Sequence, residues 1–295
     1  MKNCFKLPLI LAFLFSCEKS ELVQDSRFIT FSAPQRVTIT GYEDHTMEPF
    51  LSKDGNILFF NNSNHPSENT NIHYAIRVND VTFEYQGELG GVNTEYLDGV
   101  PTMDSEGNFY FVSTRSYFDT YETIFSGSYA DGAVTNVQLV QGVSKNQIGW
   151  LNFDVEVSSD GNFLILADGR FDENGGPHEA NLVVARKTGN NQFERLIDQS
   201  MLKHINTSDL EYAACILSDM LELYFTRVQV PITEGSIPRI WVATRESVSQ
   251  PFNKPYMIEI IEGFVEAATI STNDSIVYFH KNMSGKFEIF MSKKE

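Results

Sequence analysis

Cysteine is scarce. The chain of 295 residues has three, Cys4, Cys17 and Cys215, too few and too scattered for the disulfide framework of a small secreted domain. The six histidines, at 45, 65, 73, 178, 204 and 280, are equally dispersed, with no His-x₃-His or Cys pair, which argues against zinc. Basic residues are outnumbered, 22 Lys and Arg against 39 Asp and Glu, leaving a net charge of −17. Such a field repels phosphate backbones and excludes nucleic acid as a natural partner, while cations and neutral ligands fit it better. The Gly-x-x-x-x-Gly-Lys phosphate loop and the Gly-x-Ser-x-Gly nucleophile elbow are both missing. Long apolar runs are also lacking: the longest near the start, Leu7 to Phe15, is too short to cross a bilayer.

That run follows Lys2 and Lys6, the charged start and apolar stretch of a secretory signal. It ends in Leu14-Phe15-Ser16-Cys17, which resembles the lipobox of bacterial lipoproteins, whose Cys is diacylated and becomes the new N-terminus. The resemblance implies that residues 1–16 are a signal peptide, that Cys17 carries lipid and that 17–34 is a polar tether. It also implies a place in the cell envelope, as an outer-membrane lipoprotein. Acyl chains hold firmly, since each buried CH₂ is worth roughly 0.8 kcal/mol. Cys4 then leaves with the signal, and Cys215, in the apolar stretch Tyr212–Leu217, reads as a buried core residue.

What the chain has in quantity is aromatic side chains, Phe 23, Tyr 12 and Trp 2, which sheets tend to collect. They recur with a period. EPFLSKDGNILFFNN from Glu48, VPTMDSEGNFYFVST from Val100, DVEVSSDGNFLILAD from Asp154, AACILSDMLELYFTR from Ala213 and AATISTNDSIVYFHK from Ala267 share one pattern of strand, polar turn and aromatic strand. Aligning the turns makes Gly55, Gly107, Gly161, Met220 and Asp274 equivalent, a spacing near 50 residues that marks propeller blades. The first three turns keep the Gly that a tight hairpin needs at positive φ. The last two have lost it, and a longer or an Asn/Asp-based turn is expected there. Third strands follow at 72–78, 123–129, 181–187, 239–245 and 287–293, and fourth strands near 83–89, 135–141, 193–199 and 255–261. The fifth repeat runs out of chain, so residues 35–42 are expected to supply its outer strand and hide the open edges.

The segments SKDGNILFF, SSDGNFLIL and TNDSIVYFHKNMSGKFEIFMSKK resemble the repeats of TolB-like β-propellers, with Lys53, Ser105 and Ser159 where that family usually has Pro. The expected fold is therefore all-β: a five-bladed propeller over 35–295, with four-stranded antiparallel blades and a ring closed by an N-terminal strand. A two-sheet sandwich is the architectural rival. The resemblance says little about chemistry, because one such scaffold hosts many functions.

In a propeller the inner strand of each blade starts on one face, here the mouth face, and its first hairpin turn lies on the other, the turn face. Each inner strand has a carboxylate at or just before it: Glu48, Asp98, Asp154, Glu211 and Glu266. The loops between second and third strands return to the mouth with Asn61, Asn62, His65, Ser113, Arg115, Asp168, Arg170, His178, Arg227, His280 and Lys281. The five acids with Arg115, Arg170 and Arg227 are the expected ligand-binding set, against the alternative that these charges tie neighbouring blades together. Two functions follow. One is a binding scaffold for a protein, peptide or glycan, with Tyr117, Phe118 and Tyr121 giving contact area. The other is a glycoside hydrolase using Glu48, Asp154 and Glu211, carboxylates that retention would set about 5–5.5 Å apart and inversion about 6.5–9.5 Å. No cofactor is expected, apart from the alternative of Ca²⁺ held by channel carboxylates, and the expected state is a monomer.

Overall fold

The computed structural model describes residues 28–65, 68–233 and 235–295. The signal run, the lipobox and Cys17 lie outside them. Among the described residues no helix is long and apolar enough to cross a membrane.

Strands joined by hairpin turns and longer loops form five sheets, each built around one sequence repeat. Blade 1 comprises Met47–Leu51, Ile57–Asn61, Ile72–Asn79 and Thr82–Glu88; blade 2 comprises Asp98–Met103, Asn108–Ser113, Ile124–Ala130 and Ala133–Leu139. Blade 3 has Trp150–Val157, Phe163–Asp172, Gly175–Gly189 and Gln192–Arg195; blade 4 has Leu210–Ile216, Glu222–Val228, Arg239–Thr244 and Tyr256–Met257. Blade 5 has Val265–Ile270, Ile276–Met283 and Lys286–Lys293. The result is a five-bladed β-propeller, and the sandwich alternative falls.

The hydrophobic core lies between blades rather than inside one sheet. Phe59 of blade 1 meets Phe109 and Tyr129 of blade 2 edge-on, at centroid distances of 5.2 and 5.3 Å. Corresponding clusters pair blade 2 with 3, 3 with 4, 4 with 5 and 5 with 1. Each blade thus buries both faces, which is why its middle strands are almost continuously apolar. Cys215 sits in the cluster between blades 4 and 5, where burial pushes its thiol up to about 12.

The hairpin turns are built alike. Ser52 Oγ bonds Asp54 and accepts the Ile57 N–H, and Ser158, Asp160 and Phe163 repeat this in blade 3. In blade 5 Asn273 replaces the Asp, while Ser271 Oγ still accepts the Ile276 N–H. Met220 and Asp274 take the positive φ that Gly55, Gly107 and Gly161 take elsewhere. The last two turns are therefore Asx-based and not longer.

Ring closure differs from the expectation in its detail. Gln35–Arg36 pairs antiparallel with the last strand, opposite Met291 and Phe290, and completes blade 5. Thr38–Thr40 leaves that blade and adds as a parallel fifth strand to the outer edge of blade 1, opposite Thr82–Glu84. The packed body also starts before Gln35: Phe31, within the 17–34 segment expected as a tether, is buried and bridges Lys294. One strap thus covers two edges and joins the first blade to the last.

Where the chain leaves blade 2 it crosses the outer strand of blade 3, with Gln141 bridged to Gln192. Gly142 there has φ +85°, and a Cβ would sit 2.1 Å from the Phe193 carbonyl oxygen. Gly142→Ala is expected to lose at least ~2 kcal/mol, from left-handed backbone strain plus a clash with main chain that cannot move aside. Urea denaturation measures this.

Candidate functional site

Each inner strand enters from the mouth face with a bulge against its partner, between Met47 and Phe50, Gly99 and Thr102, Asn152 and Asp154, Tyr212 and Cys215, and Glu266 and Thr269. A bulge twists the strand locally and re-aims its side chains. Glu48, Val100, Ala213 and Ala267 have positive φ at this place, and with Asp154 they line the narrow throat of the channel, a space of about 30 Å³. Pro49, Phe50, Pro101, Val155, Glu156 and Thr269 supply much of the rest. The throat is close to shut, so a ligand approaching the mouth face stops above it.

Above the throat lies a cavity of about 560 Å³ between blades 1, 3, 4 and 5, within the usual range for small-molecule sites. Two aromatic pairs stand in it: Phe153 with Tyr212, centroids 5.6 Å apart, and Phe264 with Phe287, 5.7 Å apart. Blade 1 supplies a polar wall of Asn62, Ser63, Asn64, His65 and Glu68. Glu266 lies at the floor, its side chain 12% exposed. The Tyr212 hydroxyl donates to its Oε1. His280 Nδ1 accepts the Glu48 N–H at 3.0 Å, so the ring proton sits on Nε2, which donates to Glu266 Oε2 at 3.0 Å. Glu48 itself lies one side chain below the cavity, accepting a 2.7 Å hydrogen bond from Asn64 Nδ2.

Burial, above all, pushes the Glu48 carboxyl above the ordinary range. Asp154 is raised well above its usual value, first by burial and then by the Glu48 charge, against hydrogen bonds from the Ala213 and Val155 N–H groups. A carboxyl raised in the folded state keeps its proton after the unfolded chain has lost its own. Stability therefore falls as pH rises above about 3.9, the unfolded Asp value, toward the raised one. Asp154→Asn is expected to raise the melting temperature at pH 7, with the gain shrinking as pH approaches 4. A melting series over pH 4–8 checks it.

The other expected residues divide. Asp98 pairs with Arg115 at 2.5 Å and accepts the Thr94 N–H and hydroxyl. Glu211 pairs with Arg227 at 2.8 Å and accepts from Thr207 in the same way. Both acids are wholly buried, and each Arg also caps a backbone carbonyl, of Val92 or Ile205. These are tie points inside blades 2 and 4: Glu211 is occupied by Arg227 and Thr207, Arg115 and Arg227 are occupied by their acids, and none of Asp98, Arg115, Glu211 and Arg227 lines the mouth-face cavity. Ser113 Oγ accepts from Arg115 and belongs to the same tie. Arg170 bonds Glu179 across its own exposed hairpin, and His178 meets Asp172 there. Asp168 is buried against Arg195 and Asn152. Asn61 joins blades 1 and 2 through the Val100 N–H, and Lys281 lies over the Phe290 ring. Tyr117 accepts the Gly149 N–H and stacks edge-on with Tyr121, while Phe118 is 87% exposed. None of the three lines the cavity.

The inner acids thus form no single ring. Glu266 reaches the cavity, Glu48 and Asp154 line the throat below it, and Asp98 and Glu211 are folded away. Among the described residues no three His, Cys, Asp or Glu side chains come together as a metal-ligand set. The residues missed by sequence reasoning are the rings Phe153, Tyr212, Phe264 and Phe287 with Asn64 and Glu68. A signal was present, since Phe153 adjoins Asp154, Tyr212 adjoins Glu211 and Phe264 stands two before Glu266.

No protein-family profile and no curated protein matches the sequence. Solved structures match the fold. A BT0996 RGII complex superposes with TM-score 0.63 at 9% identity, covering 90% of this protein and 92% of that one. A glycoside hydrolase gives 0.62 at 9% identity with the same coverage. Zg3597, a family 117 glycoside hydrolase of the marine bacterium Zobellia galactanivorans, gives 0.58 at 11% identity and 90% of both proteins. TolB from Acinetobacter baumannii reaches 0.45 over 55% of its length, too low a likeness to carry the resemblance further. At these identities the likeness is one of fold, and the fold it defines is the five-bladed propeller that several glycoside hydrolases share.

Proposed function

We propose that this protein is a carbohydrate-active propeller that takes a saccharide in the mouth-face cavity. The observation that carries this is the cavity's make-up: two aromatic pairs and a wall of Asn, Ser and His side chains, over the largely sheltered carboxylate of Glu266. Rings give apolar contact to the C–H face of a sugar, and amides and carboxylates bond its hydroxyls. The glycoside hydrolases among the structural neighbours support the ligand class. A glycan array, followed by calorimetry on the hits, tests it. Phe264→Ala is expected to weaken binding by roughly 10–100-fold, the usual cost of losing a central aromatic anchor. Array silence, or affinity unchanged in that variant, contradicts it.

A second reading, hydrolysis, is favoured by one arrangement: Glu266 at the floor and, one side chain below, Glu48 with its raised pKa, the property of a general acid. Aryl glycosides provide the assay. Glu266→Gln is expected to reduce turnover roughly 10²–10⁴-fold, and turnover equal to wild type removes the reading.

Lipid attachment at Cys17 belongs to the same proposal. The described chain begins on the turn face, with the Ile29 N–H bonded to the Tyr256 hydroxyl at 2.6 Å and the Glu295 N–H to the Thr30 carbonyl at 2.8 Å. Cys17→Ala is expected to shift the protein from the membrane to the soluble fraction and to abolish the acyl mass increment. Equal partition of the two forms contradicts it.

A further inference from the structure

The cavity has an unusual charge balance. Glu266 from blade 5 and Glu68 from blade 1 both line it, and no Lys or Arg is among its described lining residues. Cations on the neighbouring strands and loops point to other partners: Arg227 to Glu211 and the Trp241 ring, Arg170 to Glu179, Lys281 to the Phe290 ring, and Arg239, next to Pro238 of the lining, to the Glu259 carbonyl at 3.4 Å. His45, on the same wall, accepts the Phe287 N–H through Nδ1 at 3.2 Å. Glu266 accepts one hydrogen bond on each oxygen, and an ionised carboxylate has about four acceptor positions, so capacity remains on the side that faces the cavity. The flanking rings add to this. The negative face of an aromatic ring attracts a cation, and ammonium groups are recognised by aromatic side walls over a carboxylate. An acidic ligand would meet repulsion from both cavity carboxylates and from the net charge of −17.

We propose that the mouth-face cavity selects a ligand that carries a protonated amine, seated between the Phe153–Tyr212 and Phe264–Phe287 pairs with its nitrogen on Glu266. This rests on the saccharide reading for its ligand class: the preferred unit is an amino sugar whose nitrogen is unacetylated. Neutral sugars bind more weakly, and uronic acids are rejected.

The test is a calorimetric and NMR titration at pH 7 with four monosaccharides built on one gluco-configured ring, glucosamine, N-acetylglucosamine, glucose and glucuronate, together with cyclohexylamine. Glucosamine is expected to bind roughly tenfold or more tighter than N-acetylglucosamine or glucose, and glucuronate weakest. In Glu266→Gln the preference falls to within about threefold, and in Glu68→Gln, on the exposed loop, it falls part of the way. The Glu68 variant keeps the test decisive if the Glu266 variant does not fold. Cyclohexylamine binding that depends on Glu266, with all four sugars silent, upholds amine selection and removes the saccharide reading. N-acetylglucosamine or glucuronate binding as tightly as glucosamine overturns the proposal, and so does the absence of any binding by the amine and the sugars alike.

Discussion

Arg227→Ala is expected to destabilise the protein by about 3–5 kcal/mol, the cost of leaving one partner of a buried ion pair alone. Glu211 is wholly buried, and Arg227 has 9% of its side chain exposed. Burial already raises the Glu211 carboxyl, against the Thr207 hydrogen bonds and the Arg227 charge that pull it down. Removing the guanidinium leaves burial less opposed, so the variant loses stability increasingly as pH rises. The loss also includes contact with the Trp241 ring, 4.5 Å from the guanidinium carbon. Replacing both partners, Glu211→Gln with Arg227→Met, is expected to recover much of it, because no charge then stays buried without its partner. Urea unfolding of the two single variants and the double variant measures the coupling. An Arg227→Ala loss under about 1 kcal/mol would match a surface pair and contradict the tie-point role.

Removing the strap is expected to have an effect as large. A chain that begins at Gly41 lacks the outer strand of blade 5 and the parallel strand on blade 1. It also exposes the surfaces now covered by Phe31, Val37 and Ile39, each less than 9% exposed. At about 1.5–3 kcal/mol for each buried apolar side chain, the loss is on the order of 5 kcal/mol, roughly 10–20 °C in melting temperature for a domain of this size. Two open edges then invite pairing between molecules. Calorimetry with light scattering reads both effects. A truncated chain that melts where the full one does would mean that the ring does not depend on the strap.

The fold was legible because a propeller writes one unit several times. The turn residues around Gly55, Gly107 and Gly161 marked the register, and the aromatic second strands marked the faces buried between blades. The path of residues 35–42 was only half legible: alternation identifies a strand, but pairing on one edge and then another depends on neighbours distant in sequence. The candidate site was read through its acids, and here two residues of offset decided the outcome. Glu48 and Asp154 stand seven residues before their turns and face the throat, while Asp98 and Glu211 stand nine before and turn into their blades. The tie points had a signature of their own, a Thr four residues before the acid and an Arg 16 or 17 after it, which separates buried pairs from open carboxylates. Tyr212 and His280 gain their roles only through Glu266, a contact between elements that spacing along the chain does not reveal.

The most direct measurement is a crystal of the protein soaked with the saccharide that binds it most tightly in solution. The account predicts sugar density above the channel throat, its ring between the aromatic pairs and a polar group within hydrogen-bonding distance of Glu266. Density confined to the turn face or to the outer edges of the blades, with the mouth-face cavity unchanged, would contradict it.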